Sequence, residues 1–173
     1  VYHPSLGSGK RLLLNTSDAQ STSTSFWNST NPSSTVISLG ASGNSNGSSD
    51  NMIAYAFAEI EGYSKIGSYT GNASADGPYI YTGFKPAFVM FKSTAAGTWS
   101  VFDSTRDPYN LTNKRLQPNA TTQETTSTTN DCLDFLSNGF KLRCSTASMN
   151  SGTIIYAAFA ENPFGGSNVS PAN

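Results

Sequence analysis

The sequence predicts an all-β fold, an antiparallel β-sandwich built from an internal repeat, and three observations predict it. A short apolar run bounded by Gly, Asn and Pro occurs twice, as Ile53-Ala54-Tyr55-Ala56-Phe57-Ala58-Glu59 and as Ile155-Tyr156-Ala157-Ala158-Phe159-Ala160-Glu161, 102 positions later. A run this short with Gly-rich flanks reads as a strand covered on both faces rather than a buried helix. Asn138-Gly139 stands between two alternating runs, the strongest short hairpin signal. Nowhere does a 3.6-residue apolar period last three turns, so essentially no helix is expected.

Aligning outward from the repeated run sets the order of elements. Val1-Tyr2-His3 corresponds to Val101-Phe102-Asp103, Lys10-Arg11-Leu12 to Lys114-Arg115-Leu116, and Asn15 to Asn119, with Leu39 near Leu136. Each unit is then a strand, a basic-capped strand, a Ser/Thr-rich loop, a further strand and the buried strand. Residues 65–100 have no counterpart before Val1, and Val1-Tyr2-His3 reads as the inside of a strand. The expected division is therefore 1–64 as the second half of a first unit lacking its front half, 65–164 as a complete unit, and 165–173 as a flexible tail or linker. Within 65–100 the strands are Tyr79-Ile80-Tyr81, Ala87 to Lys92 after the turn at Gly83 to Pro86, and Trp99 to Phe102 after Gly97. Asn15 to Ser34, Ala41 to Asn51 and Asn119 to Asp131 read as long loops.

One hairpin can be placed in register. A two-residue Asn138-Gly139 loop pairs Ser137 with Phe140, Phe135 with Leu142 and Asp134 with Arg143. Leu133, Phe135, Phe140, Leu142 and Cys144 then share an inward face, and Asp134, Lys141 and Arg143 the other. A three-residue loop would set Cys132 opposite Cys144 but would mix apolar and charged side chains on one face, the penalty of a one-residue slip. Two free thiols are therefore expected, with Cys144 inward.

Composition narrows the function. Charged residues are 12% of the chain, against roughly 25% in an ordinary soluble domain. With a net charge of −1, nothing favours nucleic acid or an anionic membrane. No apolar run approaches the ~20 residues of a membrane span.

The chemistry-bearing residues are few. Glu59 and Glu61 would stand on one strand face at a spacing that overlaps that of paired glycosidase acids. The second copy reads Glu161-Asn162, without the second acid, so strand-end roles are the simpler account. His3, the single histidine, precedes Pro4, and its counterpart is Asp103, which supports neither a Ser-His-Asp relay nor a histidine metal site. Asp50, Asp76, Asp103, Asp107 and Asp131 fall in turns without calcium-ligand spacing. Gly7-Ser8-Gly9-Lys10 leads into a strand, not the helix of a phosphate loop. Asn-x-Ser/Thr occurs at Asn15, Asn28, Asn46, Asn72, Asn110, Asn119 and Asn168. Phe26, Trp27, Tyr63, Tyr69, Tyr79, Tyr81 and Tyr109 are the pool from which a sugar-stacking platform would be drawn. No catalytic residue, metal site or cofactor is expected, and no ligand-binding residue is assigned.

Several strings taken together resemble a known family. They are Glu61 to Asn72, Asp76-Gly77-Pro78, Thr82 to Val89, Arg106 to Asn110, Asp134 to Lys141 and Ala158 to Phe164, and they span nearly the whole chain. They are similar to a β-rich domain family common in bacteriophage structural proteins, described as tail-fibre or other virion components, some of which also carry concanavalin A-like lectin domains. The resemblance implies a concanavalin-like or jelly-roll-like sandwich and a non-enzymatic virion protein at the tail or capsid exterior. It implies other virion proteins as partners, a homo-oligomer (a trimer if a fibre) and a host-surface glycan as a further partner, with no nucleic acid and no membrane insertion. A lectin-like module is the second expectation, and a depolymerase using Glu59 and Glu61 the third.

Overall fold

The stretch Pro86–Ser93 sends Val89 and Phe91 to one face and Phe88 and Met90 to the other, so it can only be satisfied as a strand covered on both sides. It is the fifth strand of a chain whose computed structural model describes residues 1–161. The strands are β1 (Lys10–Arg11), β2 (Ser21–Thr22), β3 (Ser64–Asn72), β4 (Tyr79–Tyr81), β5 (Pro86–Ser93), β6 (Ser100–Asp103), β7 (Lys114–Arg115), β8 (Thr125–Thr126), β9 (Leu133–Leu136), β10 (Gly139–Leu142) and β11 (Ser151–Ala160). Single helical turns, α1 (Gly43–Asn46) and α2 (Ala147–Asn150), precede residue 53 and β11. The tail or linker expected at 165–173 lies outside the described residues.

The fold is an all-β sandwich. A four-stranded antiparallel sheet, β3-β11-β5-β6, faces a three-stranded one, β4-β10-β9. Between them lie Val89, Phe91, Phe102, Ile154, Tyr156 and Ala158 from the larger sheet, and Ile80, Leu133, Phe135, Phe140 and Leu142 from the smaller. The opposite face of the larger sheet is covered from the N-terminal third, where Leu12 packs with Trp99 and Ile155. β11 is the keystone. It pairs with β3 over nine residues and with β5 on its other side, and Tyr156 lies over Gly67, where an added Cβ would sit 2.8 Å from its hydroxyl.

Two small hydrogen-bonded frames recur along the chain. Leu12 N–H donates to Val1 C=O (3.2 Å), and Leu116 N–H to Val101 C=O (3.0 Å). β1 pairs with β2 as Lys10↔Thr22 and Arg11↔Ser21, while β7 pairs with β8 as Lys114↔Thr126 and Arg115↔Thr125. Ser23 N–H donates to Gly9 C=O, and Ser127 N–H to Asn113 C=O. Asn46 N–H closes α1 onto Ser42 C=O, and Asn150 N–H closes α2 onto Thr146 C=O. Apart from Val1 and Val101, every one of these correspondences has the same offset of 104 positions.

Three expectations are corrected. Val1-Tyr2-His3 is not a strand. Ile53 to Glu59 is not a strand either: among the described residues it has no ladder partner, and every residue from 48 to 61 is exposed, because the place between β3 and β5 in the larger sheet is filled by β11. The 133–142 hairpin keeps the expected inward face, yet its pairs are Phe140↔Phe135 and Leu142↔Leu133, with Gly139 opposite Leu136. Neither Asn138 nor Gly139 takes the positive φ of a type I′ turn. Gly139 belongs to β10 because β4 passes so close that a Cβ there would meet Ile80 C=O at 2.1 Å. Asp134 and Arg143 still form an ion pair at 3.4 Å.

Cys132 and Cys144 are free thiols, both buried. Burial, reinforced by the neighbouring Cys144, pushes the Cys132 thiol up to about 12. Thiol labelling at pH 8 is therefore expected to be slower in the folded chain than in denaturant by at least about 100-fold. Equal rates would show that this core opens readily.

Candidate functional site

Three surface features carry side chains that the core does not use. The first is the run preceding β3. Ile53, Tyr55 and Phe57 are 81%, 82% and 65% exposed. Only the base of the run is held: Phe57 meets Phe159 edge to face at 5.5 Å, and Ser64 Oγ donates to Ala58 C=O at 2.6 Å. Beyond it, the outward edge of β3 has no ladder partner past Ser64 among the described residues, and is an open sheet edge among them.

Glu59 and Glu61 lie here, in the turn between that run and β3 rather than on a strand face. Glu59 Oε1 accepts from Ile66 N–H (3.2 Å) and Oε2 pairs with Lys65 Nζ (3.0 Å), so the carboxylate fastens the turn. The structure places the two acids in a reversing turn (Gly62 at φ 71°), which removes the alternating-strand spacing on which their pairing rested.

The second feature is an aromatic face on β4. Tyr79 and Tyr81 point outward while Ile80 enters the core. Tyr79 Oη donates to Asn138 Oδ1 at 2.6 Å, and nearby Lys141 Nζ pairs with Asp76 at 2.8 Å. Of the other aromatics, Phe26 is buried and Trp27 packs against Tyr2 and Phe26. Tyr69 is half-buried against the core and donates to Met149 C=O, and Tyr63 lies beside Phe159. Tyr109 is exposed, apart from the β4 pair in sequence.

The third feature was invisible to sequence reasoning. An open cleft of about 340 Å³ lies on the frame built from β7 and β8, lined by Val101, Leu116, Gln117, Pro118, Ala120 and Thr122. Its one sequence signal is that Leu116 is the counterpart of Leu12, and that becomes informative only once the cover over Leu12 is known.

His3 is buried, and its Nδ1 accepts from Ser5 N–H (3.2 Å). Burial lowers its pKa below the ordinary 6.5, against the opposing pull of the Tyr156 and Gly67 backbone and the Glu59 carboxylate. The folded chain thus favours neutral His3. Its contribution to stability is full above pH 6.5 and is lost as pH falls through the lowered folded value, because the unfolded chain binds the proton first. Urea melts between pH 5 and 7.5 should show stability rising with pH, and His3→Gln should flatten that slope; an unchanged slope assigns it to other groups. Among the described residues, no group of three His, Cys, Asp or Glu is placed to hold a metal. No helix among them is long and apolar enough to cross a membrane.

A family model described as a domain of unknown function, DUF7483, matches residues 1–163. The chain belongs to the DUF7483 family. No curated protein and no solved structure matches it. The open edge, the tyrosine face and the Leu116 cleft are therefore the surfaces on which a reading of this DUF7483 chain has to rest.

Proposed function

We propose that the chain is a non-enzymatic structural component of a bacteriophage virion, at a tail fibre, spike or capsid surface, contributing to host-surface attachment. The observation that carries this reading is the exposed Ile53, Tyr55 and Phe57 beside the open edge of β3, a combination suited to a subunit buried in an assembly. The strings shared with phage structural domains give it its setting. The matched frames support reading the chain as two related units, with residues 53–59 following the first frame in sequence as β11 follows the second. The engagement of Glu59 by Lys65 and Ile66 supports a fastening role over an acid–base one. Peptide mass spectrometry of purified particles tests the reading: the chain is expected there at stoichiometric level, and its absence would sink the proposal.

Tyr79 and Tyr81 favour a second reading, a lectin-like module that stacks sugar rings on β4 beside Asn138 and Asp76. A glycan array should then give signals that a Tyr79→Ala, Tyr81→Ala variant loses. An array blank across host polysaccharides removes this reading while leaving the virion role intact.

A further inference from the structure

The two frames are built alike but differ in what lies on them. On the first sits the turn between β5 and β6. Trp99 packs its indole against Leu12 and Ile155, and its Nε1–H donates to Leu13 C=O at 3.0 Å. Gly97 N–H donates to Ser17 C=O (2.7 Å), and Gln20 N–H donates to Thr94 C=O (2.9 Å). A Gly-x-Trp turn is thus seated on residues 12–20 by one buried ring and three hydrogen bonds. Leu12, beneath the ring, is 1% exposed.

The second frame has the seat without the occupant. Leu116 stands where Leu12 stands yet is 37% exposed, and the space above it is the cleft lined by Val101, Leu116 and Pro118. Gln117 takes the place of Leu13. Its C=O accepts from Ala120 N–H (3.0 Å), and a carbonyl has a second lone pair to offer. Thr121 and Glu124 stand where Ser17 and Gln20 supply the backbone hydrogen bonds of the first seat.

We infer that the Leu116 cleft is a binding site for a tryptophan side chain, presented on a Gly-x-Trp turn of a partner polypeptide. Val101, Leu116 and Pro118 hold the ring, and Gln117 C=O accepts the indole N–H. The volume accommodates an indole, and tryptophan is a preferred anchor residue at interfaces, where docking of the partner turn would close the open cleft over the ring. A second natively folded copy of this chain is not the partner. Of its two tryptophans, Trp99 is already seated and Trp27 packs against Tyr2 and Phe26. The partner is a different polypeptide segment carrying a free turn of the same kind. This inference does not depend on the virion reading.

The test uses the full chain with methyl-labelled leucine and valine, titrated with N-acetyl-tryptophanamide and followed by NMR. Saturable shifts at the Leu116 and Val101 methyls are expected, with a dissociation constant on the order of 1 mM for so small a ligand. The analogue methylated on the indole nitrogen should bind about ten-fold more weakly, for loss of one hydrogen bond. Leu116→Ser removes the apolar floor, and Ala120→Trp fills the cleft from within; each should abolish the shifts, with unchanged Leu12 methyls showing that the first frame is intact. Shifts centred on Tyr79 and Tyr81, shifts that survive both variants, equal affinity for the methylated analogue, or no saturable shift would each overturn the assignment.

Discussion

Phe91→Ala is expected to destabilise the chain by about 3–5 kcal/mol, the range for emptying a fully buried phenylalanine site. Phe91 lies on β5 with no exposed surface, at the point where the two sheets meet. Its ring sits edge-on to Phe140 of the opposing sheet at 5.3 Å, and within 6.2 Å and 6.3 Å of Phe102 and Tyr69. The neighbours are held on paired strands and cannot collapse into the space, so both the transfer loss and the cavity loss should be felt. Urea unfolding followed by the fluorescence of buried Trp99 measures the change. A double-mutant cycle with Phe140→Ala should return a coupling of about 0.5–1.5 kcal/mol for the aromatic pair. A loss below about 1 kcal/mol for Phe91→Ala would mean that the sheets repack, and that the sandwich core is softer than its geometry.

Asp131→Ala should cost a comparable amount for a different reason. Arg115 on β7 is buried, and its guanidinium donates to the Asp131 carboxylate and to Thr98 Oγ1. Removing the carboxylate strands a cation that still cannot reach water, a situation worth about 3–5 kcal/mol. The diagnostic comparison is the double replacement Arg115→Met, Asp131→Leu. It removes both charges and keeps apolar volume, so it should recover most of what Asp131→Ala loses. If the double variant is as unstable as the single one, the cost lies in packing rather than in the stranded charge. The exposed pair Lys65–Glu59 is a useful contrast, since breaking a solvent-facing pair should change stability by no more than about 1 kcal/mol.

How much of this could be read from the sequence depends on where the deciding contact lies. β5 and the inward face of β9 and β10 were legible, because a period of two records which side chains share a face. The register of that hairpin was not. The decision sits in the backbone of β4 pressing on Gly139, a tertiary contact that leaves no trace in the residues flanking the turn. The run at 53–59 shows the limit most plainly. Its pattern says that these residues suit a covered strand, but a strand exists only in relation to neighbours, and β3 and β5 are committed to β11. Glu59 and Glu61 fell with it, since their spacing was argued from that strand. The basic pairs Lys10-Arg11 and Lys114-Arg115, matched in the sequence, each lie on a short two-stranded ladder. The cleft at Leu116 did not follow, because an empty seat is recognised only by comparison with an occupied one.

The Tyr156–Gly67 contact has a consequence for the order in which the chain is made. β3 and β5 are synthesised well before β11, the strand that joins them. During that interval a rival with the same outline, residues 53–59, is already at hand. Superposed on β11 by their common ends, the rival puts Ala54 where Tyr156 belongs and Tyr55 where Ala157 belongs. It would leave Gly67 without its covering ring and put a tyrosine where β11 carries the half-buried Ala157. The exchanged order of Ala54-Tyr55 and Tyr156-Ala157 thus makes residues 53–59 a poor substitute for β11 beside Gly67, whose missing side chain is matched to one of the two runs and not the other.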